Sequence, residues 1–141
     1  MSVCLPCDLE DAKAEEIIFR VSAWSCEVAD GYDVPGWYLL RLRRHAEGWS
    51  GPTIEELATF GAVSQRLAGA IQAATGSPSV YFMSFGENYP HFHFLVVARA
   101  ADLPPESRGA AVLALRADHR DMAESLRIGD LVRSAFSAEP H

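Results

Sequence analysis

Apolar and polar positions alternate in several short runs, and the alternation predicts strands. The clearest run is Tyr89-Pro90-His91-Phe92-His93-Phe94-Leu95-Val96-Val97-Ala98-Arg99, entered from the turn-type residues Gly86, Glu87 and Asn88. Its aromatic and β-branched residues favour a strand. On a strand, His91, His93 and Leu95 share one face and Phe92, Phe94 and Val96 the other. The Phe/Val face reads as core. The paired imidazoles read either as a site or as polar residues of a half-exposed strand. Residues 17–29 are rich in strand formers, with Ser22-Ala23 marking a hairpin turn or bulge between two strands. Cys26 in this stretch reads as a small buried hydrophobe. After a loop over residues 30–36, Trp37-Tyr38-Leu39-Leu40-Arg41-Leu42 forms another strand, closed by Arg43-Arg44-His45; residues 79–85 form a further one.

A different period appears between these strands. Thr53-Ile54-Glu55-Glu56 is a capping-box pattern. Ile54, Leu57, Ala58, Phe60, Leu67, Ala68, Ile71 and Ala74 approximate one apolar helical stripe, and Gly76 ends it. This predicts one long helix. Residues 8–16 are polar and acidic and predict a short helix. After Arg99, residues 103–106 form a loop with a helix start, and helices are predicted over 110–116 and 120–136. His119 and His141 read as solvated surface residues. Strands that are mostly sequence neighbours joined by short turns favour an antiparallel sheet and an α+β fold. Neither common glycine-rich phosphate loop is present.

The 141 residues suit one domain, and 49% apolar content allows a sizeable core. A net charge of −7 argues against a nucleic-acid polymer as partner, which would need a basic stripe. A small anionic ligand needs only a few local donors. No apolar run approaches the ~18 residues of a membrane span. The first residues lack a basic segment followed by an apolar run, so no leader is expected. The three cysteines are therefore read as reduced and the location as cytoplasmic. Cys4-Leu5-Pro6-Cys7 has a spacing common to metal and redox sites. Thioredoxin-type chemistry would place it after a strand, and none precedes it. Structural zinc would need two more ligands from elsewhere. His45 stands where a strand ends, a position from which it could reach a shared site or belong to a surface basic cluster.

Four separated segments together resemble the histidine-triad (HIT) family of nucleotide hydrolases and transferases. The family's His-x-His-x-His hallmark corresponds to His91-Phe92-His93-Phe94-Leu95-Val96-Val97-Ala98-Arg99, with Leu95 in place of the third histidine and Ala98 in place of a proline. Its Gly-His-x-Leu-Val-x-Pro-Lys-x-His strand resembles Gly36-Trp37-Tyr38-Leu39-Leu40-Arg41-Leu42-Arg43-Arg44-His45, with Trp37 and Leu42 replacing the first histidine and the proline. The spacing of the long helix agrees, and one branch of the family begins with Cys-x-x-Cys, as Cys4 and Cys7 do. The resemblance spans about residues 4–99. It implies a single domain with an α+β fold: an antiparallel sheet of about five strands, one long helix and C-terminal helices. Residues 1–16 would be a zinc-tethered N-terminal segment and residues 100–141 a helical extension.

The resemblance also implies two sites and a homodimer, commonly joined sheet edge to sheet edge around the helix region. Structural zinc would be held by Cys4, Cys7, His45 and His91, a set that suits tetrahedral Zn²⁺. His93 would be the catalytic residue, a nucleophile or general base acting on a nucleotide phosphoester, a phosphoramidate or a related small substrate. Asn88, Tyr89, Trp37, Leu95 and Asp30 would line the substrate site. The departures fall where the chemistry is done. Leu95 cannot donate a hydrogen bond to phosphate, Trp37 offers only an indole N–H, and Glu87 adds negative charge. Losing one well-placed donor typically lowers rate on the order of 10²–10³. The expected function is a noncanonical HIT-like enzyme. The alternatives are a scaffold repurposed for an apolar or aromatic metabolite, and a non-catalytic ligand-binding protein.

Overall fold

The computed structural model describes residues 4–138, so His141 lies outside the described residues. Five strands form one antiparallel sheet: β1 (Ile17–Val21), β2 (Trp24–Glu27), β3 (Trp37–Leu42), β4 (Ser79–Met83) and β5 (His93–Arg99), in the order β1-β2-β3-β5-β4. Ser22 makes the β1–β2 turn with a positive φ of 55°. The α+β antiparallel fold expected from the strand pattern is the fold observed.

Strand β3 is buried along its whole length because both faces of the sheet are covered. On one face Tyr38, Leu40, Leu42, Phe92, Phe94 and Val96 join a core closed by two helices, α3 (Phe60–Thr75) and α4 (Met122–Ala138). Cys26 is fully buried in this core, as a small hydrophobe would be. On the other face Trp37, Leu39, Leu95 and Val97 meet Leu9, Val34 and Val112, which belong to segments without long helices. These segments are the N-terminal stretch with its one-turn helix α1 (Leu5–Asp8), the loop before β3, and a 3₁₀ run over Gly109–Ala117.

Several boundaries differ from expectation for local reasons. The long helix is broken. The Thr53 capping box is formed, but it starts a single turn, α2 (Ile54–Leu57), and Ile54 is 84% exposed rather than part of the stripe. Trp24 Nε1 donates to the Glu56 carbonyl at 3.1 Å and Thr59 Oγ1 donates to it at 3.2 Å, so that carbonyl is occupied where the helix would continue. The buried stripe of α3 is Val63, Leu67, Ala70 and Ile71, and Gly76 caps it with φ 69°. The predicted short helix over 8–16 is α1 followed by two 3₁₀ turns, Leu9–Asp11 and Ala14–Glu16. The predicted helix over 110–116 is the 3₁₀ run. His91 precedes the strand predicted to contain it and pairs with Glu47 as an isolated bridge, while the Phe92 N–H donates to the Ala46 carbonyl at 2.8 Å. His119 is exposed, as expected.

Candidate metal centre and cavity

Helix α1 is too short to be stable by itself, and its sequence explains its use. Cys4 is its N-cap and its sulfur accepts from the Cys7 N–H at 3.4 Å, which turns the two thiols to one side. Two imidazoles approach from the sheet. Cys7 Sγ lies 3.2 Å from His45 Nδ1 and 3.3 Å from His91 Nδ1; for Cys4 Sγ the distances are 3.6 and 3.5 Å. All four donor atoms fall within 4.8 Å of one another. Zinc bonds of ordinary length at a tetrahedral angle would separate sulfur and nitrogen by about 3.5 Å. The remote nitrogens are also engaged. His91 Nε2 donates to the Leu42 carbonyl at 2.6 Å, and His45 Nε2 donates to the Glu47 carboxylate at 3.1 Å. Each ring therefore offers its Nδ1 lone pair to the cluster, the orientation that a metal-binding histidine needs.

The electrostatics agree with a cation between these groups. Burial is the main cause that lowers the His91 pKa, opposed by the Leu42 hydrogen bond and helped by the nearby Arg41 charge, which favours the neutral ring. Burial, then the hydrogen bond and charge of Cys4, push the Cys7 thiol up to about 11. Without a cation Cys7 keeps its proton at neutral pH; a divalent ion reverses this by displacing the proton.

The N-terminal segment is fixed a second time by charge. Arg41 and Glu27 are each 0% exposed and form a two-point pair, at 3.0 Å and 2.7 Å. Glu10 reaches in from the segment to Arg41 at 3.2 Å and to Arg43 at 2.9 Å. One residue of this segment, Leu5, forms part of the wall of a cavity of about 350 Å³.

His93 lines that cavity at the start of β5, opposite Arg41 in the strand register. Its Nδ1 lies 2.6 Å from the His91 carbonyl. A carbonyl only accepts, so Nδ1 carries a proton and, in the neutral ring, Nε2 holds the lone pair. Asn88, Tyr89, Trp37 and Leu95 line the same cavity, with the Tyr89 ring 6.3 Å from the His93 ring. Asp30 is not among the lining residues. Its carboxylate points to Arg120 at 3.2 Å and is mostly exposed.

Sequence reasoning missed the wall opposite the sheet. Tyr32, Leu113 and Arg116 complete it. Arg116 Nε donates to the Gly31 carbonyl at 2.6 Å, and its guanidinium lies 4.1 Å over the Tyr32 ring. Asp33 ties the loop to the C-terminal segment: it accepts from the Gly31 N–H at 3.0 Å and from Arg120 Nε at 2.8 Å, while its carbonyl accepts from Ser125 Oγ at 2.8 Å. Nothing in local spacing links residues 31–33 to residues 116–125.

No family's sequence pattern and no curated protein matches the chain. Solved structures do. A hypothetical histidine triad nucleotide-binding protein from Sulfolobus tokodaii superposes with a TM-score of 0.72 at 15% identity, over 95% of this chain and 92% of its own. A zinc-bound histidine triad family protein from Mycobacterium smegmatis gives 0.65 at 21% identity, over 95% and 93%. The diadenosine triphosphate hydrolase of Plasmodium falciparum, solved with cyclomarin A, gives 0.64 at 14% identity, over 90% and 80%. The chain has the histidine-triad fold.

Within that fold the first triad position has surroundings of its own, and the second and third share the cavity. His91 joins the cysteine cluster, His93 lines the cavity, and Leu95 lines it too as part of the apolar layer with Leu39 and Trp37. The triad's face is therefore divided between a candidate metal centre and a candidate active site two residues away, linked by the His91 carbonyl that holds His93.

Proposed function

We propose that the protein is a HIT-like hydrolase or transferase with structural zinc, in which His93 Nε2 is the nucleophile. The observation that carries this reading is the His93 tautomer, fixed by the 2.6 Å bond from Nδ1 to the His91 carbonyl beside a cavity of small-molecule size. Nε2 attacks the phosphorus of a nucleotide ester or amidate. A nitrogen–phosphorus bond forms, and the bond to the leaving oxygen or nitrogen breaks, its electron pair departing with that atom, which takes a proton from solvent. Water, or another acceptor hydroxyl, then attacks phosphorus, loses its proton, and releases neutral imidazole. Asn88, which lines the cavity, would donate to the phosphate oxygens; Leu95 and Trp37 supply no imidazole there, so turnover is expected to be slow.

Zinc at Cys4, Cys7, His45 and His91 would hold the N-terminal segment, and with it the Leu5 wall, against the sheet. The donor set, its spacing and the engaged remote nitrogens support this ion. The same reading includes a cytoplasmic homodimer. The edge position of β4 supports the dimer, and sedimentation of the full chain as a monomer would remove it. Among the described residues no helix is long and apolar enough to cross a membrane.

The test is His93→Ala assayed on adenosine phosphoramidate and diadenosine polyphosphates. Turnover should fall at least about 10³-fold while metal content and thermal midpoint hold. Equal turnover by parent and variant would end the nucleophile reading. A second reading is favoured by one observation: Trp37, Leu39, Met83, Phe85 and Leu95 make the cavity largely apolar. There the scaffold acts on an apolar or aromatic metabolite. Calorimetry that detects no binding of adenosine monophosphate but does detect an aromatic acid would favour it.

A further inference from the structure

The cavity has two ends of different charge. The loop over residues 86–89 joins β4 to β5, so Glu87 stands at the His93 end. Arg116 stands by Gly31 and Tyr32, in the loop that leads into Trp37 at the start of β3. In the register, His93 pairs with Arg41, four residues beyond Trp37. That is a separation of about 13 Å along the sheet at the rise of a strand. Between the ends lie Trp37, Leu39 and Leu95, which offer no charge.

The setting of Arg116 differs from that of most arginines in the chain. Arg41, Arg43, Arg44 and Arg120 are tied to carboxylates. Arg116 is held by one bond from Nε to a carbonyl and by the face of Tyr32, with no carboxylate partner among the described residues. These two contacts fix the plane of the guanidinium and leave its terminal N–H groups without an acidic partner. A fixed guanidinium with terminal donors to spare, at the edge of an apolar cavity, is suited to a carboxylate or phosphate.

We propose that Arg116 forms an anion subsite at the end of the cavity away from His93, so that the ligand carries a carboxylate or phosphate group at one end of an apolar or aromatic body whose other end reaches His93. The proposal goes beyond the reaction assigned to His93 and does not depend on which bond is broken there. The loop and the 3₁₀ run act as one wall because Arg116 joins them, and Asp33 ties the loop to Arg120 and Ser125 just beyond the run.

The experiment is equilibrium calorimetry with three probes that share one body: 3-phenylpropionate, 3-phenylpropyl phosphate and 3-phenylpropan-1-ol. The parent protein should bind at least one anion about tenfold more tightly than the alcohol. The tighter of the two identifies carboxylate or phosphate as the group recognised. Arg116→Gln, with an unchanged thermal midpoint, should lose the preference, and His93→Ala should keep it. Equal binding of all three probes by the parent overturns the proposal. So does a preference that survives Arg116→Gln, or one abolished by His93→Ala, which would place the anion at the other end. Because no probe is turned over, these outcomes are independent of whether His93 is a nucleophile.

Discussion

The two faces of the sheet are covered in different ways. On one face α3 and α4 close an apolar core in which Phe19 stacks on Phe136 at 4.2 Å and Leu67 and Ile71 are fully buried. On the other, three segments without long helices lie over Trp37, Leu39 and Leu95. Short irregular segments present single apolar residues, such as Leu9, Val34 and Val112, rather than a continuous helical face. They are fastened at points instead: the Cys4–Cys7–His45–His91 cluster, the Glu10–Arg41–Glu27 group and the Asp33–Arg120 pair. The lesson is that strands β3 and β5 serve both purposes through alternation. Their even-numbered residues go to a closed core on one side and their odd-numbered residues to a cavity with polar fastenings on the other.

Loss of the Cys4–Cys7–His45–His91 cluster, with the zinc proposed for it, should separate the faces most sharply. Structural zinc contributes on the order of 10–16 kcal/mol of binding free energy in zinc-finger peptides. Here the sheet and helices remain, so the loss should concentrate in the fastened segment. After treatment with a chelator, or in Cys7→Ser, hydrogen exchange over residues 4–16 should rise by orders of magnitude. The amides of α3 should keep their protection. Unchanged exchange over 4–16 would mean that the cluster does not hold the segment; parallel loss in α3 would mean that the faces are not separable.

The Arg41–Glu27 pair comes next. Both side chains are fully buried, and Ser25 Oγ also donates to Glu27 at 2.6 Å. Removing one partner, as in Glu27→Ala, should cost about 3–5 kcal/mol by leaving the buried Arg41 with only the part-exposed Glu10 as its counter-ion. The double variant Glu27→Leu with Arg41→Met should recover much of that loss. On the helix face Leu67→Ala should cost a similar ~2–5 kcal/mol through a cavity, with no partner substitution to rescue it. Urea unfolding of the four proteins checks the contrast. A double variant no more stable than the single one would show that the pair is not the unit.

These contrasts also explain what could be read from the chain. The five strands were legible because alternation survives in a sheet covered on both faces, and residues 37–42 read as strand to the residue. Cys4, Cys7, His45 and His91 were legible by residue type once a family resemblance related their spacing. The break between α2 and α3 was not, because it depends on an indole from β2 reaching the Glu56 carbonyl. Ile54, apolar and in phase, therefore fell on the wrong side of the boundary. Arg116 and Asp33 were not legible either. Their partners lie some eighty-five residues away in sequence, at Gly31 and Arg120, and neither turn chemistry nor periodicity encodes such a contact.

The smallest effect concerns the last fastening, and its sign follows from the Asp33 carboxyl. Burial pushes that pKa up, but the Arg120 hydrogen bond, the backbone N–H groups and the Arg120 charge together outweigh it, so the folded pKa lies below the ordinary 3.8. A carboxylate with a depressed folded pKa adds stability above its unfolded value and loses it as pH falls through the folded one. Asp33→Asn keeps an acceptor for Gly31 and Arg120 but removes the charge. The gap between parent and variant should be about 1–2 kcal/mol near neutrality. It should hold down to about pH 4 and shrink as pH falls further. The gap for Leu67→Ala, which involves no titrating group, should stay constant over that range. Urea unfolding at stepped pH measures both. A flat Asp33→Asn gap below pH 4 would mean that the loop is held by shape alone, and the contrast between a packed face and a fastened one would then rest on the metal cluster and the buried pair.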